Sequence, residues 1–238
     1  MADHHARVVA LLGDERRVWQ GDAECVYQPL RPYARLIERL ALMAGPWFRP
    51  DAISERWISG AGWTIRLDYR LPGQPATHWI GRSSDYLDLR LLIGVNRLIS
   101  ASGYRFEIVE AGQDCLIACV DGAERARIEQ ALGRPCVSFD SADEIAFFLA
   151  TAEQRLAILD GAAVIAEAGA LLDQVNDRVN GAAELYELRG RAFYESGQPD
   201  QAWIDWARAA AAGRSDIYAR MAARDPDSGR AANPADQP

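Results

Sequence analysis

Lysine is absent from this chain, and all 26 of its positive charges are arginine. We read that as codon usage, but it has chemical consequences. Schiff-base catalysis, a P-loop phosphate lysine and a kinase-type lysine are all excluded. Histidine is scarce too, with three copies, so few groups titrate near neutral pH. The motifs GxSxG, GxGxxG, HExxH, a Walker loop and an EF-hand loop are missing from the sequence. Gly60-Ala-Gly62 precedes a strand pattern and so lacks the context for phosphate binding. No apolar run is long enough to cross a bilayer. The segment Met1 to Leu12 does not have the pattern of a signal peptide, so the expected compartment is the cytoplasm.

The four cysteines, Cys25, Cys115, Cys119 and Cys136, include no CxxC pair. Cys115 and Cys119 lie in the apolar run Cys115-Leu-Ile-Ala-Cys-Val120 and are expected to behave as small buried apolar residues. No cofactor and no metal site is expected.

What is present is enough apolar material for a core, 49% of 238 residues. The net charge is −8 and uneven: residues 1–140 carry 17 Arg against 18 Asp and Glu, residues 141–238 carry 9 against 16. An acidic half repels nucleic acid and anionic membranes and attracts a basic partner.

Hydrophobic periodicity predicts the elements. Leu30, Tyr33, Ile37, Leu40, Ala41 and Ala44 share one face of a helix over 29–44, which Gly45-Pro46 stops. Ile53 and Trp57 suggest a short helix over 50–58. Trp63, Ile65, Leu67 and Tyr69 alternate with polar residues, the mark of a half-buried strand. Leu71-Pro-Gly-Gln-Pro75 is a turn, and residues 77–82 return as its partner strand. Ser84 or Asp85 is expected to cap an apolar helix to about Ser102. Residues 104–109 and 115–120 form a second hairpin, 123–132 a helix and 135–139 a last strand. The expected class is α+β, a mainly antiparallel sheet covered by helices over 1–140. Residues 141–223 are expected to be all helical and 224–238 disordered. One stripe runs Ile145, Phe148, Leu149, Ala152, Leu156, Leu159. Another runs Val164, Ala168, Leu171, Leu172, Val175, Val179.

Within the helical part, Tyr186, Gly190, Phe193, Gly197, Ala202, Trp206 and Ala209 fall at the spacing of one helix–turn–helix unit. Residues 183–212 thus resemble a single tetratricopeptide repeat. Arg189 stands where the family has leucine, and no proline closes the unit. The resemblance covers about 30 of 238 residues, and a unit of this kind needs neighbours to bury its face. The plain alternative is an ordinary helical hairpin. Where the resemblance holds it implies protein binding through a helical groove, with Tyr186, Phe193, Trp203, Asp205 and Trp206 as candidate partner-binding residues. Residues 16–140 are similar in overall look to bacterial toxin-immunity proteins, though no single motif carries that likeness.

Candidate chemistry is thin. His78 is the one histidine inside the fold, and a partly exposed strand position is its expected setting. His4 near the terminus fits an adventitious Cu(II) or Ni(II) chelate. Asp85 and Asp88 are expected to cap a helix start, with a catalytic pair as the alternative. Arg31, Arg35 and Arg39 form a stripe expected to be a solvated outer face. Three functions follow. The first is an immunity protein that occludes the active site of a cognate, basic toxin. The second is a repeat-like adaptor or chaperone. The third is an enzyme built from Asp85, Asp88 and His78.

Overall fold

The computed structural model describes residues 2–59, 63–82, 84–158, 161–175, 179–217 and 220. Two compact units divide the chain, Met1–Phe139 and Asp140–Pro238. The fold is α+β, with an all-helical second part.

The first unit contains, in order, α1 (Ala2–Leu12), β1 (Val18–Asp22), α2 (Pro32–Ala44), β2 (Asp51–Ile58), β3 (Trp63–Leu71), β4 (Gln74–Arg82), α3 (Leu91–Ile99), β5 (Arg105–Glu110), β6 (Asp114–Val120) and α4 (Gly122–Leu132). The strands make two antiparallel three-stranded sheets, ordered β1-β6-β5 and β2-β3-β4. The alternation read at 63–69 is strand β3, whose Ile65, Leu67 and Tyr69 are buried. It pairs with β4 from Trp63↔Arg82 to Leu71↔Gln74. Gly73, at φ 88°, supplies the positive φ that the two-residue connection needs.

Three expectations are corrected, and two elements had none. Residues 51–58 are strand β2 and not a helix. Ile53 and Trp57 are four apart, and four fits a strand period as well as a helical one. Ile53, Glu55 and Trp57 are half-buried while Ser54 and Arg56 are exposed, so the period is two. The helix expected from residue 84 starts at Leu91. Before it, residues 84–90 are held irregular by Leu87 N–H donating to Ala23 O at 2.8 Å and Asp88 N–H donating to the Tyr33 hydroxyl at 2.9 Å. Residues 2–12, to which no element was assigned, form helix α1, and β1, unread in the sequence, pairs with β6. Residues 135–139 contribute one bridge, Ile108↔Val137, in place of a strand.

Phe48 joins the two sheets. Its ring lies edge-on to Tyr69 at 5.8 Å and to Phe106 at 6.1 Å. Helices α1 and α4 cover the other face of the β1-β6-β5 sheet through Val8, Val18, Leu116, Ala118, Val120 and Ile128. Each such side chain contributes about 1.5–3 kcal/mol of burial. Burial pushes the Cys115, Cys119 and Cys136 thiols up to about 11, so they stay neutral at physiological pH. The outer edge of β5 is closed by the Asn96 side chain. Its Oδ1 accepts from Phe106 N–H at 2.7 Å and its Nδ2 donates to Phe106 O at 3.0 Å. An amide spanning one residue this way stands in for a neighbouring strand and blunts an aggregation-prone edge.

The second unit contains α5 (Ser141–Ala157), α6 (Gly161–Leu172), α7 (Ala182–Glu195) and α8 (Pro199–Ala211). Asp140 and Asp143 make a capping box that starts α5. Both stripes read in the sequence converge in one core with Leu185, Tyr186 and Leu188. Leu159 and the tail over 224–238 lie outside the described residues.

Candidate functional site

Helices α7 and α8 bring the five candidate partner-binding residues together, but inward. Trp206 is fully buried, and Tyr186, Trp203 and Asp205 are also buried, while Phe193 is half-buried. Trp203 meets Trp206 edge-on at 5.2 Å. Gly190 is what permits this packing, since a Cβ there would collide with the Trp206 indole and lie 3.1 Å from Ala202 O. Arg189, the departure from the repeat pattern, is explained by Asp205. Its Nε and Nη2 donate to the two carboxylate oxygens at 2.6 and 2.7 Å. The guanidinium also lies 5.8 Å from the Tyr186 ring and 5.9 Å from the Phe193 ring. A bidentate pair therefore occupies the place of the leucine, and Asp205 is spent inside the hairpin. As groove residues for a partner, Tyr186, Trp203, Asp205 and Trp206 present no open surface.

The catalytic candidates are engaged separately. His78 Nε2 is 2.8 Å from the Tyr69 hydroxyl, and the two rings stack at 5.5 Å. Its ring packs against Gly94 of α3, where a Cβ would lie 2.7 Å from Cε1. Burial pulls the imidazole down to about 4, so it is neutral at pH 7. Asp85 pairs with Arg82, and Asp88 makes a fork with Arg90 at 2.9 and 2.7 Å. Neither sits in the first turn of α3, which corrects the capping expectation. Asp88 instead accepts from Arg90 N–H, one step before the helix. His4 is committed to Glu110 at 3.1 Å. The Arg31–Arg39 stripe is not uniformly solvated: Arg31 donates to Ile53 O and half-buried Arg39 to Val18 O, each at 3.2 Å. Among the described residues, no three His, Cys, Asp or Glu side chains are grouped to hold a metal.

The surface that stands out lies elsewhere in the first unit. A hollow of about 300 Å³ opens between the loop at Asp14–Arg17 and the end of α2. Trp47 on its rim is 52% exposed and Leu42 68% exposed. Trp47 stacks on Tyr104 at 6.2 Å with 19° between the rings. The Arg17 guanidinium lies 5.1 Å from the same Tyr104 ring. Arg17 is fixed by donating to Cys119 O at 3.0 and 2.7 Å and by a fork onto Glu124. The carboxylate of Glu124 holds the Arg17 guanidinium above its ordinary range. Tyr104 is thus held between the fixed Arg17 and the Trp47 ring, while Trp47 and Leu42 offer their faces to solvent.

Sequence reasoning missed this site. Gly45-Pro46 signalled the end of α2, but Trp47 and Phe48 are adjacent aromatics with opposite fates. Phe48 is fully buried between the sheets and Trp47 is not. Trp47 ends a 3-10 turn and Phe48 begins the extended segment after it, so no regular alternation in the sequence separates the two.

A further hollow of about 400 Å³ lies between α3 and β5 and is lined in part by Asn96, Tyr104 and Glu107. Glu107 is buried, and burial holds its carboxyl above the usual range despite Arg105 at 2.6 Å and Arg125 at 3.1 Å. With both guanidiniums on it, this carboxyl group closes a network. Compared with known protein families, curated proteins and solved structures, the chain matches none of them.

Proposed function

We propose that this protein works by binding another protein, as an immunity-type inhibitor that covers the working cleft of a basic toxin. The observation that carries the reading is the exposed Leu42–Trp47–Tyr104 surface beside Arg17. Tryptophan, tyrosine and arginine are the residues that dominate binding energy at protein interfaces. Contiguous exposed apolar surface is uncommon on a chain with no partner. The net charge of −8 supplies long-range attraction to a basic partner and raises its encounter rate. The division of labour is simple: charge brings the partner in and the aromatic patch grips it. The adaptor reading requires Tyr186, Phe193 and Trp206 to line an open groove, and two of those three are buried. The enzyme reading requires His78, Asp85 and Asp88 to converge, and each has its own separate partner.

The test is co-expression of the tagged full chain with the product of each neighbouring reading frame. The expected result is a stoichiometric complex with one basic, toxic neighbour. Trp47→Ala should weaken that complex by at least ~30-fold, the scale of a hot-spot residue. No complex with any neighbour, or a complex indifferent to Trp47→Ala and Leu42→Ala, would overturn the reading.

A further inference from the structure

Beside α2 the first unit holds another hollow, separate in its chemistry from the aromatic surface. It measures about 210 Å³, and its walls include Trp19, Leu30, Leu36 and Leu87. Two cations, Arg35 and Arg39, complete the lining. An apolar wall beside one half-buried and one exposed guanidinium suits an anion that carries an apolar body.

Among the described residues, no carboxylate makes an ion pair with Arg35 or Arg39. Arg39 Nε is buried and makes no hydrogen bond, and its Nη2 has the single long bond to Val18 O. Two acids of the neighbouring segments are committed elsewhere. Glu55 accepts from Ala34 N–H at 2.9 Å and from the Trp57 indole at 2.8 Å, and Asp22 accepts from Glu24 N–H at 2.8 Å. Cys25, which also faces the hollow, is not the missing anion. Burial holds its thiol above the ordinary value although Arg35 pulls the other way.

The size of the hollow narrows the ligand. An apolar cavity of about 150 Å³ accommodates benzene, whereas drug-sized ligands occupy roughly 300–1,000 Å³. A volume of about 210 Å³ takes one six-membered ring with a short acidic arm. One wall is set by a single glycine. A Cβ at Gly21 would collide with the Trp19 ring, so Gly21 is what lets that ring lie along the strand. We propose that this hollow binds a small aromatic or alicyclic carboxylic acid. Its ring lies against Trp19, Leu36 and Leu87, and its carboxylate accepts hydrogen bonds from the guanidiniums of Arg35 and Arg39 that line the hollow. Such charge-assisted bonds in a partly dry site are the strong kind. The site is independent of the partner-binding surface.

The experiment is isothermal titration of the full chain with phenylacetate, alongside its uncharged counterpart 2-phenylethanol. Ligand-observed NMR of the same mixtures reports ring contact. The expected result is one saturable site for phenylacetate, with a dissociation constant below ~1 mM. That is reachable for a ligand of its size. The alcohol should bind at least ~10-fold more weakly, as loss of a charged hydrogen bond predicts. Arg39→Met should weaken phenylacetate by a similar factor and leave the alcohol unchanged. Because Arg39 is half-buried, exposed Arg35→Gln provides a second variant, expected to weaken the acid and keep the fold by far-UV circular dichroism. Absence of saturable phenylacetate binding to the wild-type chain overturns the proposal. Equal affinity for acid and alcohol overturns it too.

Discussion

The two units differ in how completely they pair their charges. In the helical unit all six described arginines, Arg155, Arg189, Arg191, Arg208, Arg214 and Arg220, have a carboxylate within 4 Å. In the α+β unit Arg35 and Arg39 have none among the described residues. Exposed large apolar side chains follow the same division. Tyr27, Leu30, Leu42, Trp47, Trp63, Tyr86 and Val137 belong to the first unit, and Ile158 and Ile204 to the second. The strongly acidic half spends its cations and aromatics on holding four helices together. The nearly neutral half leaves aromatics and cations available. Net charge by region therefore locates a long-range field, whereas it is the unspent side chains that locate a binding surface.

The sharpest way to break this comparison is to take a spent charge away. Arg189→Ala leaves Asp205 buried with only Arg208 at 4.0 Å, and should cost the helical unit about 3–5 kcal/mol in urea denaturation. The double variant Arg189→Leu, Asp205→Leu should recover most of that loss. It restores the apolar residue of the repeat pattern without stranding a charge. A mild loss from the single variant would mean the pair is not structural.

Packing gives the next effect. Gly190→Ala would normally stabilise a helix by up to about 1 kcal/mol. Here the new methyl group meets the buried Trp206 ring, and overpacking of about 1–3 kcal/mol should outweigh that gain. A rise in melting temperature would show that the α7–α8 contact is looser than described.

In the first unit the corresponding group is the half-buried His78, as partly exposed as the sequence suggested. Its imidazole is neutral when folded, with its value pulled down to about 4, against about 6.5 when unfolded. The unfolded chain therefore binds the extra proton first as pH falls. Stability contributed by this group is complete above about pH 6.5 and is lost as pH falls toward 4. Between pH 7 and pH 5 the loss should be about 2 kcal/mol. His78→Gln keeps a side chain able to bond the Tyr69 hydroxyl but has no proton to gain. Its stability should fall less over that interval by about the same amount. Parallel pH profiles for the two proteins would contradict the neutral assignment.

The smallest stability effect belongs to the surface that matters most for function. Leu42→Ala should change unfolding free energy by about 0.5 kcal/mol or less, and Trp47→Ala, whose half-covered ring stacks on Tyr104, by about 1 kcal/mol. A loss as large as that from Arg189→Ala would place Trp47 among the structural residues.

Periodicity carried most of the fold. The alternation at Trp63–Tyr69, the helical face from Tyr33 to Ala44 and the two stripes from Ile145 to Val179 were all legible in the sequence. Each was legible because one face of a regular element is buried and the other is wet. The failures have local causes. Ile53 and Trp57 are four apart, a spacing shared by both periods. Val18-Trp-Gln-Gly-Asp22 offers too few apolar residues to reveal strand β1, which exists because β6 supplies its hydrogen bonds. Asp85 and Asp88 resemble helix caps, but the Tyr33 hydroxyl and Ala23 carbonyl hold that segment out of the helix. Site residues were harder still. Asp205 beside Trp206 has the composition of an exposed interface until Arg189, 16 residues earlier, is seen to claim it. The exposure of Trp47 beside the buried Phe48 is a tertiary fact with no local signature.

The most direct test of where the protein works is hydrogen–deuterium exchange on the full chain, free and saturated with the captured neighbour protein. The account predicts new protection at residues 14–17, 42–48 and 102–106, with α7 and α8 unchanged. Protection confined to α7 and α8, with Leu42 and Trp47 exchanging as in the free chain, would contradict it and return the binding surface to the helical unit.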